Sequence, residues 1–166
     1  MKKLSKNVAL AGMIGALYAL LTLLQNVLFP GSASQAVQFR LSEALMMLCA
    51  VSPSAVYGLT LGCAVANIFG GMPIDILLGS IATLLAGWSI YLTRRLTWKQ
   101  FPVLSVIFPS LFNGVIVGAE IAWFSGQFTL FSFLSAAACV ALGEFAVSTV
   151  LGIPFYFFIR KQKFFK

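Results

Sequence analysis

The chain has 166 residues, 60% of them hydrophobic and only 9% charged, with a mean hydropathy of +0.98. A soluble domain carries about a quarter charged residues, so a soluble fold is excluded, and with it a soluble catalytic or nucleotide-binding domain. Lys and Arg number 11 against 4 Asp and Glu, a net charge of +7, but the bases flank apolar stretches as cytoplasmic membrane anchors do, and nucleic acid is not an expected partner.

Taken in chain order, the apolar run from Val8 to Phe29 is longer than the 7–15 residues of a signal-peptide core, so the basic start at Lys2, Lys3 and Lys6 is read as the anchor of an uncleaved first helix. Pro30-Gly31 ends it, and an outer loop follows over Gly31–Ala36. A second helix is predicted over Val37–Val51 and a third over Ser54–Phe69, separated by Ser52-Pro53, with Pro suited to a helix start. Gly70-Gly71 breaks the chain and Pro73 opens a fourth helix that runs to Thr93. Arg94, Arg95 and Lys99 form the basic internal loop. The fifth helix covers Pro102–Phe124 with a kink expected at Pro109, and Gly126-Gln127 turns the chain into a sixth over Thr129–Ile159, with Pro154 near its end.

The reading is an all-α integral membrane protein, one membrane-embedded substrate-binding domain over 1–166. It is a six-transmembrane-helix bundle with both termini cytoplasmic, because only an even number of spans puts the three basic clusters on one side. A span needs about 20 apolar residues, and the second and third helices, at roughly 15 each, are short for one. No internal repeat of the secondary-transporter kind is visible.

The acids run opposite to the bases. Glu43, Asp75, Glu120 and Glu144 all lie within or at the end of apolar segments, with Arg40 as the one base beside them. Charges kept inside a membrane are costly, and usually face a cavity or one another. At 1.5 Å per residue, Arg40, Glu43, Asn67, Asp75, Asn113, Glu120 and Glu144 fall between the outer surface and the midplane, on five different helices. A pocket open to the outside would collect them as substrate-binding residues. Each has a plainer explanation: an Arg40–Glu43 bridge on one helix face, a helix-cap role for Asp75, interhelical bonding by Asn67 and Asn113, and a reach to the interface by Glu120. Glu144 resists this most, since an acid at mid-membrane costs about 2.5–3.5 kcal/mol on insertion scales. Four carboxylates against one Arg suit a ligand rich in N–H donors or positively charged, and Phe39, Phe69, Phe112, Trp123 and Phe145 lie near enough in sequence to stack on a flat ring.

Neither metal nor cofactor is expected. With no His there is no Ser–His dyad and no HExxH site, so no catalytic residue is assigned. Cys49, Cys63 and Cys139 fall in apolar runs with no metal spacing and are read as packing residues. In the first helix Ala11, Gly15 and Ala19 recur every four residues. Such spacing lets a second helix approach closely, whether within the bundle or on a separate membrane protein.

The ordered elements Gln38-Phe39-Arg40-Leu41-Ser42-Glu43-Ala44-Leu45, Gly58-Leu59, Gly62-Cys63 with Ala66-Asn67, Asp75-Ile76, Gly79-Ser80 with Ala82-Thr83-Leu84-Leu85, then Leu142-Gly143-Glu144 and Gly152-Ile153-Pro154, resemble the QueT family of membrane proteins. The resemblance implies a substrate-binding S component of an energy-coupling factor (ECF) transporter in the bacterial cytoplasmic membrane. Such a component is a six-helix bundle that captures its vitamin from outside and has no ATPase of its own. It docks on the EcfT transmembrane subunit, which carries two EcfA-type ATPases. The implied substrate is a queuosine precursor, a 7-deazaguanine such as preQ1, preQ0 or queuine. S components often dock through an Ala-x-x-x-Ala motif, which falls here on Ala11, Gly15 and Ala19, with Gly in place of the middle Ala. The alternatives are an S component for another small vitamin and a stand-alone ion-coupled carrier.

Overall fold

The computed structural model describes residues 2–30, 39–70, 73–126 and 128–162. The expected loop at Gly31–Ala36, the helix start at Val37, Gly71, Gln127 and the basic residues Lys163 and Lys166 lie outside them. Helix α1 covers Lys2–Leu28, and a 3-10 helix covers Leu41–Ala50. Then come α2 (Pro53–Gly70), α3 (Asp75–Thr93), α4 (Leu104–Phe124) and α5 (Leu130–Val147), which passes through one π-helical turn (Ser148–Gly152) into α6 (Ile153–Arg160). Among the described residues, four helices are long and apolar enough to cross a membrane: Leu4–Leu28, Asp75–Thr93, Leu104–Phe124 and the continuous Leu130–Arg160. The protein is a multi-pass membrane protein.

Local chemistry sets several of the boundaries. Pro53 opens α2, where its missing N–H costs nothing. A capping box starts α5: Thr129 Oγ1 accepts from the Ser132 N–H at 3.1 Å, and Ser132 Oγ accepts from the Thr129 N–H at 2.9 Å. The π-helical turn ends just before Ile153-Pro154. Proline has no N–H to give the preceding turn, and its ring crowds the carbonyl four residues back. A widened turn absorbs both defects.

The second predicted span is not an α-helix. Ten residues of 3-10 helix, at about 2.0 Å each, cover about 20 Å, short of the roughly 30 Å hydrocarbon thickness. The segment forms the axis of the fold. All the long helices and the π-helical turn pack against it, and Met46, Met47 and Cys49 are fully buried. Its threefold repeat sends side chains to every side, which suits a strand of chain that meets protein all round.

Helices α1 and α2 run parallel, with Ala11 against Gly58 and Gly15 against Gly62, while short connections make α2–α3, α3–α4 and α4–α5 antiparallel neighbours, so α1, α2, α3, α4 and α5 follow one another round the 3-10 axis. Arg94, Arg95 and Lys99 of the α3–α4 connection and Arg160 at the end of α6 therefore lie at one end. Arg160 Nη1 holds Gln100 through its carbonyl at 3.2 Å and its side-chain Oε1 at 3.0 Å, which ties α6 to the α3–α4 connection there.

Glycine sets the two closest helix contacts. A Cβ on Gly58 would sit 2.5 Å from the Ala11 carbonyl oxygen, one on Gly15 would sit 2.7 Å from that of Gly58, and one on Gly62 would sit 2.5 Å from that of Gly15. Across the fold, a Cβ on Gly118 would sit 2.6 Å from Ala137 Cα. The Ala11, Gly15, Ala19 face is thus taken up by α2 of the same chain, with Gly15 and Ala19 buried. What α1 leaves uncovered is Gly12, whose Cβ would meet nothing within 4 Å, and Ala16. Intramolecular packing engages this face at Ala11 and Gly15, where two backbones touch, and Ala11 stays half-buried. Gly58→Val is expected to force α1 from α2 and lower stability by about 1–3 kcal/mol, read as a lower unfolding temperature in detergent, although glycine is itself a poor helix former.

Candidate substrate-binding site

The site is built from the first turn of the 3-10 helix and the helix faces around it. Tyr18, Thr22 and Gln25 recur along one face of α1, and all three are buried. Gln25 grips the strand entering the 3-10 helix: its Nε2 donates to the Phe39 carbonyl, and its Oε1 accepts from the Leu41 N–H at 2.8 Å. Thr22 and Ser42 share a hydroxyl–hydroxyl bond of 2.7 Å. The Tyr18 hydroxyl donates to Glu43 Oε1. These bonds run antiparallel down α1 and hold Glu43 inside the bundle, where it is fully buried.

Arg40 stands at the N-cap of the 3-10 helix in extended conformation, φ −93° and ψ 104°. Its Nη2 donates to Asp75 Oδ2 at 2.9 Å, an ion pair of two buried side chains. The pair links the 3-10 helix to the start of α3. Asp75 therefore does not act as a side-chain cap: α3 has Ile74 as its N-cap with no side-chain cap bond. Asn67 of α2 donates from Nδ2 to the Asp75 carbonyl at 2.9 Å, so three segments meet at this residue. Gly79 gives the Asp75 carboxylate its room. A Cβ there would lie 2.6 Å from Asp75 Oδ1 and 3.0 Å from Asn67 Nδ2. Gly79→Ala should push the carboxylate off Arg40 and weaken ligand binding about tenfold, the cost of one charge-assisted bond. Equilibrium binding by the purified variant measures this.

Glu144 of α5 is 1% exposed and lies within electrostatic reach of both Glu43 and Arg40. Neither of its carboxylate oxygens has a hydrogen-bond partner, and the same holds for Glu43 Oε2, Asp75 Oδ1 and Ser148 Oγ. Ser148 opens the π-helical turn one turn beyond Glu144. Buried acceptors left unpaired cost about 1–3 kcal/mol each and are rare in folded proteins. Here the carboxylate oxygens of Glu43, Asp75 and Glu144 share the neighbourhood of a single guanidinium.

Of the residues expected in the pocket, Arg40, Glu43, Asn67, Asp75 and Glu144 come together. Asn113 is buried on α4. Glu120 is within electrostatic reach of Asp75 and Arg40, but it lines a separate groove of about 490 Å³ on the flank of α3 and α4. Among the aromatic residues, Phe112 packs against the core, whereas Phe39, Phe69, Trp123 and Phe145 are exposed. Cys49 and Cys63 are buried and free, and Cys139 is half-buried. No group of three or more metal-ligating side chains occurs among the described residues.

A model of the family described as QueT transporter matches residues 8–161. The chain belongs to the QueT transporter family. Comparison with curated proteins and with solved structures gives no significant match. Membership makes the chain a membrane transport protein and not an enzyme. The buried acids are then residues of a transporter that handles a small molecule, which is the setting in which uncompensated carboxylates have a use.

Tyr18, Thr22, Gln25, Ser42 and Ser148 were not among the expected site residues. A signal for the first three is present in the sequence: polar side chains four and then three residues apart mark one helix face in an otherwise apolar segment.

Proposed function

We propose that the protein is the substrate-binding S component of an ECF transporter, and that it captures a queuosine precursor from outside a bacterial cytoplasmic membrane. In this reading the chain makes six passes with both termini in the cytoplasm. It docks on an EcfT subunit carrying two EcfA-type ATPases, and ATP hydrolysis drives release inward. The observation that supports it most is the set of unpaired carboxylate oxygens on Glu43 and Glu144 beside the Arg40–Asp75 pair. A 7-deazaguanine presents an N–H and an NH₂ side by side, and one carboxylate accepts both in a bidentate manner. A second acid is suited to an aminomethyl arm, and Asn67 and Arg40 are suited to the ring carbonyl. Selectivity follows from the same arrangement, because a ligand without those donors leaves buried acceptors unpaired.

The test is direct. Mass spectrometry of ligand retained by the purified protein should detect a 7-deazaguanine, and titration with preQ1, preQ0 and queuine should rank them. Retention of an unrelated vitamin would redirect the assignment to another S-component substrate. Uptake into liposomes without ATPase partners, driven by a proton or sodium gradient, would replace it with an ion-coupled carrier.

A further inference from the structure

The groove on the flank of α3 and α4 is not part of the acid cluster. Its walls are Ile74 and Leu78 of α3, Val115, Glu120 and Trp123 of α4, and Phe128 beyond the helix end, and none of Arg40, Glu43, Asn67, Asp75 or Glu144 lines it. At about 490 Å³ it has the size of a small-molecule site, and apolar walls with one placed polar group are the usual make-up of such sites. The polar group is Glu120, which is 7% exposed and whose Oε2 has no hydrogen-bond partner.

Three features of the groove favour a cation. A buried carboxylate oxygen without a partner is stabilised by an N–H donor, most of all a charged one. Trp123 and Phe128 stand at its rim with ring centroids 5.9 Å apart, and aromatic faces attract ammonium groups. The groove also lies at the C-terminal end of α4, where the helix dipole favours positive charge, and the last turn of α4 carries no basic residue. Arg40, a base within electrostatic reach of Glu120, is already paired with Asp75.

We propose that this groove is a second binding site, separate from the buried acid cluster, for an organic ammonium carried on an apolar or aromatic body. The ammonium pairs with Glu120 while the body lies along Ile74, Leu78 and Val115. The ammonium can come from a dissolved amine or from the headgroup of a membrane lipid.

The experiment uses the full-length chain in nanodiscs with 2-phenylethylamine as the probe and 2-phenylethanol as its neutral counterpart. In phosphatidylglycerol nanodiscs the amine should bind saturably and at least about tenfold more tightly than the alcohol, given the worth of a charge-assisted hydrogen bond. Glu120→Gln should abolish that preference. Trp123→Ala, which alters an exposed side chain and leaves the fold intact, should weaken the amine severalfold. Glu43→Gln should leave it unchanged. Repeating the titration in phosphatidylethanolamine nanodiscs separates the sources. Weaker apparent binding there means that the lipid headgroup occupies the groove, and equal binding means that the dissolved amine does. The proposal is overturned if the amine binds no better than the alcohol, or if Glu120→Gln and Trp123→Ala both bind it like the parent. Strict competition between the amine and a 7-deazaguanine would also overturn it, since the groove would then belong to the capture site.

Discussion

Glu144→Gln should lower the affinity for a 7-deazaguanine by more than about a hundredfold while leaving the ligand-free protein at least as stable as the parent. The two halves of this expectation have one cause. Both Glu144 oxygens are buried and without partners, so the substitution breaks no bond within the protein. It also removes an acid whose place in the membrane costs about 2.5–3.5 kcal/mol. Binding suffers for the converse reason. A charge-assisted hydrogen bond is worth about 1.5–3 kcal/mol, and a carboxylate facing an N–H and an NH₂ makes two, whereas the Gln amide turns one acceptor into a donor facing a donor. Calorimetric titration and thermal unfolding in detergent measure the two halves. A variant that binds like the parent removes Glu144 from the site. One that binds poorly and also unfolds early shows Glu144 to be structural.

Arg40→Met is expected to have the opposite balance, a large loss of stability. The Arg40–Asp75 pair is buried on both sides, and removal of one partner from such a pair costs about 3–5 kcal/mol because the other charge is stranded. Asp75 already has one oxygen without a partner, so truncation of Arg40 leaves both uncompensated. The double variant Arg40→Met, Asp75→Leu should recover most of the loss, since an apolar replacement of a buried pair is often neutral. Unfolding temperatures of the two singles and the double close the cycle. Equal stability of Arg40→Met and the parent would show that the pair does not hold the 3-10 helix to α3.

The positions of the polar residues along the chain were legible because an acid in an apolar run is conspicuous in any window. Their partners were not. Arg40 and Glu43 are three residues apart, which reads as a local bridge, yet Arg40 reaches Asp75 and Glu43 accepts from Tyr18. Such pairings depend on the packing of α1 and α3 round the axis, and no local spacing encodes that. The 3-10 helix was hidden for a related reason. A mostly apolar segment with seven of its ten residues buried has little exposed face to betray its period, so it reads as a short α-helix. The small-residue face of α1 was visible, but its occupant was not, because Gly58 and Gly62 of α2 provide the same close approach that a separate protein would. Pro154 marked the sixth helix correctly, while the π-helical turn before it depends on how the backbone relieves a missing donor.

The shortness of the 3-10 helix bears on how the protein is made. A segment that covers about 20 Å and carries Arg40 and Glu43 has little tendency to partition into lipid alone, since both charges are costly there. It has to enter together with its flanking helices, shielded by α1 and α2 from the start of insertion. Biogenesis thereby couples delivery of the guanidinium and carboxylate to closure of the helix pair, and a chain that stalls before α2 emerges cannot yet shelter them.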